Sequence, residues 1–355
     1  MSFVKRYRHY RTGRYAAFCV LIVVILMGCE RSIPNPDPDD TFGVIPAHFP
    51  AMPVPADNPI TREKAELGRR LFYEGRLSLD GTVPCASCHR LEASFTDAPF
   101  QLSRGVRKQQ GIRNAPTLIN VGYRKVMFWD GRAATLEDQA MAAFLNPEEM
   151  AADTVAVASL MRSSEYRPAW VSAFGDTVVT MRRVMQAIAT FERTLVSANS
   201  RYDKFVLGDT TALSAEEKAG MQLFFSDRTK CSECHSGPDL TDDDYHSIGL
   251  FHHYFDTGRF EVTKKTEDEG RFKTPTLRNV ALTPPYMAGG DYEKGELYTL
   301  EQAIERYNDG GVSFANKDPR IIPLNLTGQE QSALVAFLKT LTDSTIFTNR
   351  WFAKP

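Results

Sequence analysis

Two short strings bound what this chain can fold around. CASCH runs from Cys85 through Cys88 to His89, and CSECH from Cys231 through Cys234 to His235. Two thiols spaced by two residues and followed at once by an imidazole form the attachment signature of a c-type haem. The thiols bond the porphyrin edge, and the adjacent histidine offers iron its proximal nitrogen. One string alone would also suit half a zinc site or a redox dithiol. Two of them, in a chain that opens with an export signal, point instead to two covalently bound haems. No histidine lies between His89 and His235. The second axial position of the first iron therefore has no nearby imidazole to fill it. An iron with an open face binds small ligands; one filled on both faces mostly carries electrons.

The export signal occupies residues 1–28. Lys5, Arg6, Arg8, Arg11 and Arg14 make a basic start, and the apolar run from Tyr15 to Met27 is too short for an ordinary membrane span. The run ends Leu26-Met27-Gly28-Cys29, which resembles a bacterial lipobox with Cys29 as the lipidated residue. A plain signal peptide or an uncleaved anchor are the alternatives. All three place the body outside the cytoplasm. The six cysteines then divide into Cys19 in the signal, Cys29, and four in the two strings, leaving none for a disulfide. Losing the five basic residues of the signal takes the formal charge from −2 to −7. That argues against nucleic acid and favours a basic redox partner.

Residues 29–59 are rich in proline, with Pro34, Pro36 and Pro38 alternating with acids, and read as an extended tether in which His48 is exposed and inert. Beyond it the pattern is helical with long loops. Thr61 opens a capped helix toward the first string, and Ser214-Ala-Glu-Glu217 is a capping box opening a similar helix toward the second. Gly68 with Leu71-Phe72 and Gly220 with Leu223-Phe224 give these helices the same frame, a weak internal repeat. Further helices are expected over about 135–145, 154–173, 180–206, 299–308 and 328–341, with no sustained alternation that would predict much sheet. The expected fold is all-α and loop-rich, with two cytochrome c-like domains at 60–205 and 206–355 and a junction near 202–211.

Between the strings lie Asn114-Ala-Pro-Thr117, Phe128-Trp129-Asp130-Gly131-Arg132, Gln139 and Asn146-Pro-Glu-Glu149-Met150. At these residues the chain resembles the bacterial di-haem cytochrome c peroxidase and MauG family, and the likeness covers nearly all of 60–345. It implies that Trp129, Gln139 and Glu149 match the family's functional tryptophan, glutamine and glutamate. Peroxide cleavage on iron asks for such types, because a carboxylate in a dry pocket can take a proton from one oxygen and return it to the other. On residues alone, Glu148 and Glu149 read equally as solvated helix-cap acids, and Trp129 as a core aromatic. Many peroxidase members carry a histidine in the loop after the first string. Here that position reads Gly105-Val106-Arg107, so the first haem is expected to be five-coordinate or water-bound without activation. Only an unexpected ligand such as Met127 would reverse this.

The family segment recurs after the second string as Thr274-Pro-Thr-Leu-Arg-Asn279 and Leu282-Thr283-Pro-Pro-Tyr-Met287. Peroxidase members place an axial methionine on the helix that follows, and MauG-type members a tyrosine. Tyr307 occupies that step and shares a helical face with Leu300 and Ile304. A packed core tyrosine is the alternative, with Met287 as the rival ligand. A phenolate would lower the haem potential and a thioether would raise it. The resemblance further implies a calcium ion held by Asn114, Thr283 and Pro285, whose oxygens suit a hard cation. The expected activity is reduction of hydrogen peroxide in the periplasm, with electrons from a small cytochrome c or cupredoxin. The alternatives are a MauG-type enzyme oxidising side chains of a partner protein, and a non-catalytic di-haem electron carrier. A homodimer is compatible with the sequence.

Overall fold

Each string follows a helix that crosses a later helix at a glycine, and this arrangement occurs twice. The computed structural model describes residue 42 and residues 45–291 and 295–355. The signal segment, Cys29 and about the first half of the proline-rich stretch lie outside the described residues, as do residues 292–294. In the first half α1 (Arg62–Phe72), capped by Thr61, packs on α5 (Met181–Glu192). In the second, α7 (Ala215–Phe224), with the Ser214–Glu217 capping box formed, packs on α11 (Gly328–Lys339). A Cβ at Gly68 would collide with the backbone oxygen of Ala187, and one at Gly220 with that of Ala333. The glycines of the weak repeat are thus the points where helix backbones touch. Alanine is favoured over glycine in a helix interior by about 1 kcal/mol, so propensity alone would make Gly220→Ala stabilising. We expect instead a net loss of about 1–3 kcal/mol from overpacking against a carbonyl that cannot move aside. A urea midpoint that rises in Gly220→Ala would show that the crossing is loose.

The two halves share a second device. Asn120 and Asn279 both sit in the left-handed region, at φ 58° and 57°, where asparagine is tolerated better than most side chains. The backbone N–H of Asn120 donates to Leu195 O (2.8 Å), and its side chain exchanges bonds with the backbone of Ser197. Asn279 N–H donates to Leu341 O (3.1 Å), and its Oδ1 accepts from Asp343 N (2.7 Å). Each asparagine thus ties the loop after its string to the strand-like segment that follows the crossing helix.

Between these frames lie α2 (Leu136–Leu145), α3 (Thr154–Arg162), α4 (Arg167–Phe174), α6 (Arg201–Val206), α8 (Cys231–Cys234), α9 (Phe260–Thr263) and α10 (Leu300–Asn308). Among the described residues sheet is confined to two antiparallel pairs: β1 (Tyr245–His246) with β2 (Phe272–Lys273), and β3 (Tyr286–Asp291) with β4 (Gly295–Leu297). No described helix is long and apolar enough to cross a membrane. The fold is mostly helical with little sheet, as expected.

Several local expectations are corrected. The helix predicted over 154–173 breaks between α3 and α4, and the one over 180–206 breaks between α5 and α6. In the second case the stop is tertiary, because Asp343 Oδ2 accepts from the N–H groups of Ala198 and Asn199 and from Ser197 Oγ. Short helix α6 follows that break, with a Ser200–Asp203 capping box formed and Asp203 buried. His48 is not exposed: its Nε2 lies 2.7 Å from Asp203 Oδ1, and Asp203 also pairs with the buried Arg278. Phe49 beside it is buried and Asn58 wholly so, so the end of the proline-rich stretch is packed rather than extended. The chain end returns as well, with Ile346, Trp351 and Phe352 completing the core around Phe72, Phe95 and Phe191.

Candidate haem sites

The two strings present the same geometry. A tight turn brings His89 N–H to Cys85 O (3.0 Å) and His235 N–H to Cys231 O (2.9 Å). His89 Nδ1 lies 2.9 Å from Phe95 O, and His235 Nδ1 3.2 Å from Leu240 O. A carbonyl can only accept, so in each ring Nδ1 carries the proton and Nε2 keeps its lone pair. Burial lowers both imidazoles, His235 to about 4, which keeps them neutral. That is the form iron requires. None of the four thiols is in a disulfide, and burial pushes them up, Cys234 to about 11. Neutral thiols and oriented neutral imidazoles fit a covalently attached haem at each string.

A cavity of about 310 Å³ surrounds the second string and reaches toward the first, a size suited to a cofactor. Cys231, Cys234, His235, Tyr307 and Met287 line it, and so does Trp129. Tyr307 stands on α10 above Leu300 and Ile304, which are buried in the second core. Its hydroxyl has no hydrogen-bond partner among the described residues. Burial raises the phenol above its ordinary range, and the nearby Cys231 and Cys234 thiols add to this. Met287 lies in β3 at φ +54°, a strained position for a side chain of that size. Both rival ligands therefore face one chamber. Trp129 Nε1 donates to Asn114 O (3.0 Å), and Trp129 O accepts from Lys273 N–H (2.8 Å). The ring is thereby fixed between the loop after the first string and β2. Asn114, Thr283 and Pro285 line the same cavity.

At the first string the acid is held from several directions. Asn146 Nδ2 donates to Glu149 Oε1 (2.8 Å), and Asn146 O accepts from Glu149 N–H (3.0 Å). Val106 N–H binds Glu149 O (2.8 Å), and Gly105 lies so close to the Glu148–Glu149 backbone that any Cβ there would clash. The loop that lacks a histidine is thus pinned onto the turn that bears Glu149. Glu148 is exposed and Glu149 half-buried. The charge of Glu149 is felt at both Cys85 and Cys88, so it lies near the first string. Gln139 is half-buried on α2, about two turns before Asn146, which caps the end of that helix. Met127 is buried in the first core. Among the described residues no histidine other than His89 stands at this string.

Sequence reasoning gave three neighbours no role. Asn146 was visible only as part of a motif. His246 lines the second cavity, with Nε2 at 2.9 Å from Asp242 Oδ2 and Nδ1 at 2.9 Å from both Asp318 Oδ2 and Arg320 Nη2. Glu192, at the end of α5, is buried, and its Oε2 has no hydrogen-bond partner among the described residues. Asp242, His246 and Asp318 are far apart in sequence or scattered in loops, and nothing in their spacing marks them as a group.

Two histidyl strings of one geometry, with a cavity at the second that reaches Trp129 and the loop after the first, fit a di-haem c-type protein. The chain belongs to the di-haem cytochrome c peroxidase and MauG family, and is an enzyme of that family. The family model described as di-haem cytochrome c peroxidase matches residues 62–211. The cytochrome c551 peroxidase of Nitrosomonas europaea is 39% identical over 306 residues, covering 84% of this chain and 86% of that protein. The methylamine utilization protein MauG of Methylophilus methylotrophus is 35% identical over 297 residues, covering 82% and 86%. Among solved structures, a MauG-like protein associated with microbial copper homeostasis superposes with a TM-score of 0.82 at 33% identity, covering 88% of this chain and 98% of that one.

Proposed function

We propose that the protein is a periplasmic peroxidase that reduces hydrogen peroxide to water at the first haem, with electrons entering at the second. Bound iron supplies the redox chemistry at each string. The remaining work falls to side chains. Glu149 has one carboxylate oxygen committed to Asn146, which leaves Oε2 to take a proton from the nearer peroxide oxygen and return it to the leaving one. Gln139, on the helix that Asn146 caps, orients peroxide by hydrogen bonds. Trp129, locked by Asn114 and Lys273, relays electrons between the sites. The observation that carries this reading is the pinned Glu149 turn beside a string at which no second imidazole stands.

The donor is a small cytochrome c or cupredoxin, in keeping with the acidic mature charge and with the cytochrome c551 in the name of one relative. Lipidation at Cys29 would hold the enzyme at a membrane, the segments 60–205 and 206–355 would each carry one haem, and calcium would bind Asn114, Thr283 and Pro285. A MauG-type role, oxidising side chains of a partner protein, is the second reading. It is favoured by the unpartnered Tyr307 phenol in the second cavity. An electron carrier without catalysis would need both irons six-coordinate, and the missing histidine counts against it.

The resting state tests the proposal. The fully oxidised enzyme is expected to give an EPR spectrum with one high-spin haem and to turn over peroxide without prior half-reduction. Two low-spin haems, with activity only after a reductive lag, would sink it.

A further inference from the structure

The wall of the second cavity carries a cation that lacks the partner its neighbours have. Arg113 donates from Nε and Nη2 to Asp256 (2.6 and 2.7 Å) and from Nη1 to Asp130 (2.6 Å). Arg320 donates from Nε and Nη2 to Asp318 (2.8 and 2.6 Å), and His246 sits between Asp318 and Asp242. Arg124 holds Asp239 and Asp243, and Lys230, 36% exposed, pairs with Glu233. Lys273 is different. Its side chain is 10% exposed, and its amine makes one hydrogen bond among the described residues, to Thr274 O (3.2 Å). Asp243 Oδ1 lies 3.8 Å away and already accepts from Arg124 Nη1 (3.0 Å). A buried ammonium with unmet N–H groups is costly unless an anion fills the space beside it. Burial accordingly lowers the amine to about 8, with Arg124 adding and Asp243 and Asp242 opposing.

We propose that Lys273 is the anion-holding group of this cavity and takes a carboxylate of the haem attached at CSECH. A haem brings two carboxylates, and Lys273 lines one cavity with Cys231, Cys234 and His235, the residues that would hold it. Lysine meets such a group as a point charge. The backbone of the same residue fixes the proposed relay, since Lys273 N–H donates to Trp129 O (2.8 Å). One residue thus ties the haem edge to the tryptophan, a positioning role, and its charge favours the reduced haem. The inference rests on the reading of CSECH as a haem site, and not on peroxide being the substrate.

The test is the midpoint potential of the second haem in the haem-loaded protein, with its carboxylates carbon-13 labelled for redox-difference infrared spectra. Lys273→Met is expected to lower the reduction equilibrium about tenfold, about 59 mV for a one-electron couple, and to shift the label-sensitive carboxylate bands. Lys273→Arg restores the charge and should return both toward the parent. Bands in Lys273→Met that stay as in the parent would overturn the proposal, and so would an unmoved potential. A parent potential that follows added chloride or acetate at constant ionic strength would assign the site to a soluble anion instead. Should Lys273→Met fail to load haem, Lys273→Arg decides the matter. It must carry both haems at the parent's potential, and an empty second string counts against the proposal. Haem per chain is measured first in the parent. One haem removes the reading of CSECH and the proposal with it, whereas two haems with unmoved bands remove the proposal alone.

Discussion

Glu149→Gln is expected to leave both haems attached and to cut peroxide turnover by about 10²–10⁴-fold, the usual range for loss of a positioned proton shuttle. The substitution keeps the side-chain length, and Asn146 can still bond a carboxamide oxygen at the place of Oε1. The backbone bonds from Val106 and Asn146 do not involve the side chain at all. Folding and haem content should therefore be unchanged, which separates a chemical loss from a structural one. Asn146→Ala makes the complementary change, freeing a carboxylate that can still titrate. Its turnover should fall less than that of Glu149→Gln. Peroxide turnover within twofold of the parent in Glu149→Gln would return this residue to the class of half-exposed helix-end acids.

How far the sequence reached depends on whether a feature is local. The helix starts were legible because Thr61, Ser214 and Thr299 cap their own chains within three residues. The strings were legible because attachment chemistry fixes their spacing. The repeated Gly68 and Gly220 were visible, but their reason, a backbone-to-backbone crossing, appears only with the partner helices in place. The break after α5 was hidden because the group that stops it, Asp343, lies far along the chain. Distance in sequence hid His48 in the same way, since nothing near it announces Asp203 or Arg278. Glu192 sits in an otherwise ordinary helical pattern, where an acid at the last turn reads as solvated. Its burial comes from the helices packed on α5, which no single stretch of sequence encodes.

The expectation that most sharply divides the two enzyme readings lies at Tyr307. Tyr307→Phe should alter the ferric spectrum of the second haem and raise its potential. The Tyr307 hydroxyl has no partner among the described residues and stands on the wall of the second cavity. Burial holds the phenol neutral, and the further push from Cys231 and Cys234 disappears once those sulfurs are thioethers. What remains is desolvation, which a cation at the hydroxyl would offset, and a haem iron that His235 would hold is such a cation. A phenolate ligand lowers the potential, and axial identity moves haem potentials over a range of about 0.8 V. Its loss is therefore a large upward shift, with an open or water-bound site left behind. Met287 faces the same chamber from a strained backbone position, φ +54°, and supplies the control. If Met287 holds the iron, Tyr307→Phe removes only a hydroxyl, the ferric spectrum stays as it was, and Met287→Ala disturbs it instead. That result would favour rapid electron entry and a plain peroxidase. A spectrum changed by Tyr307→Phe and untouched by Met287→Ala would assign the phenolate and make oxidation of a partner protein the activity to assay.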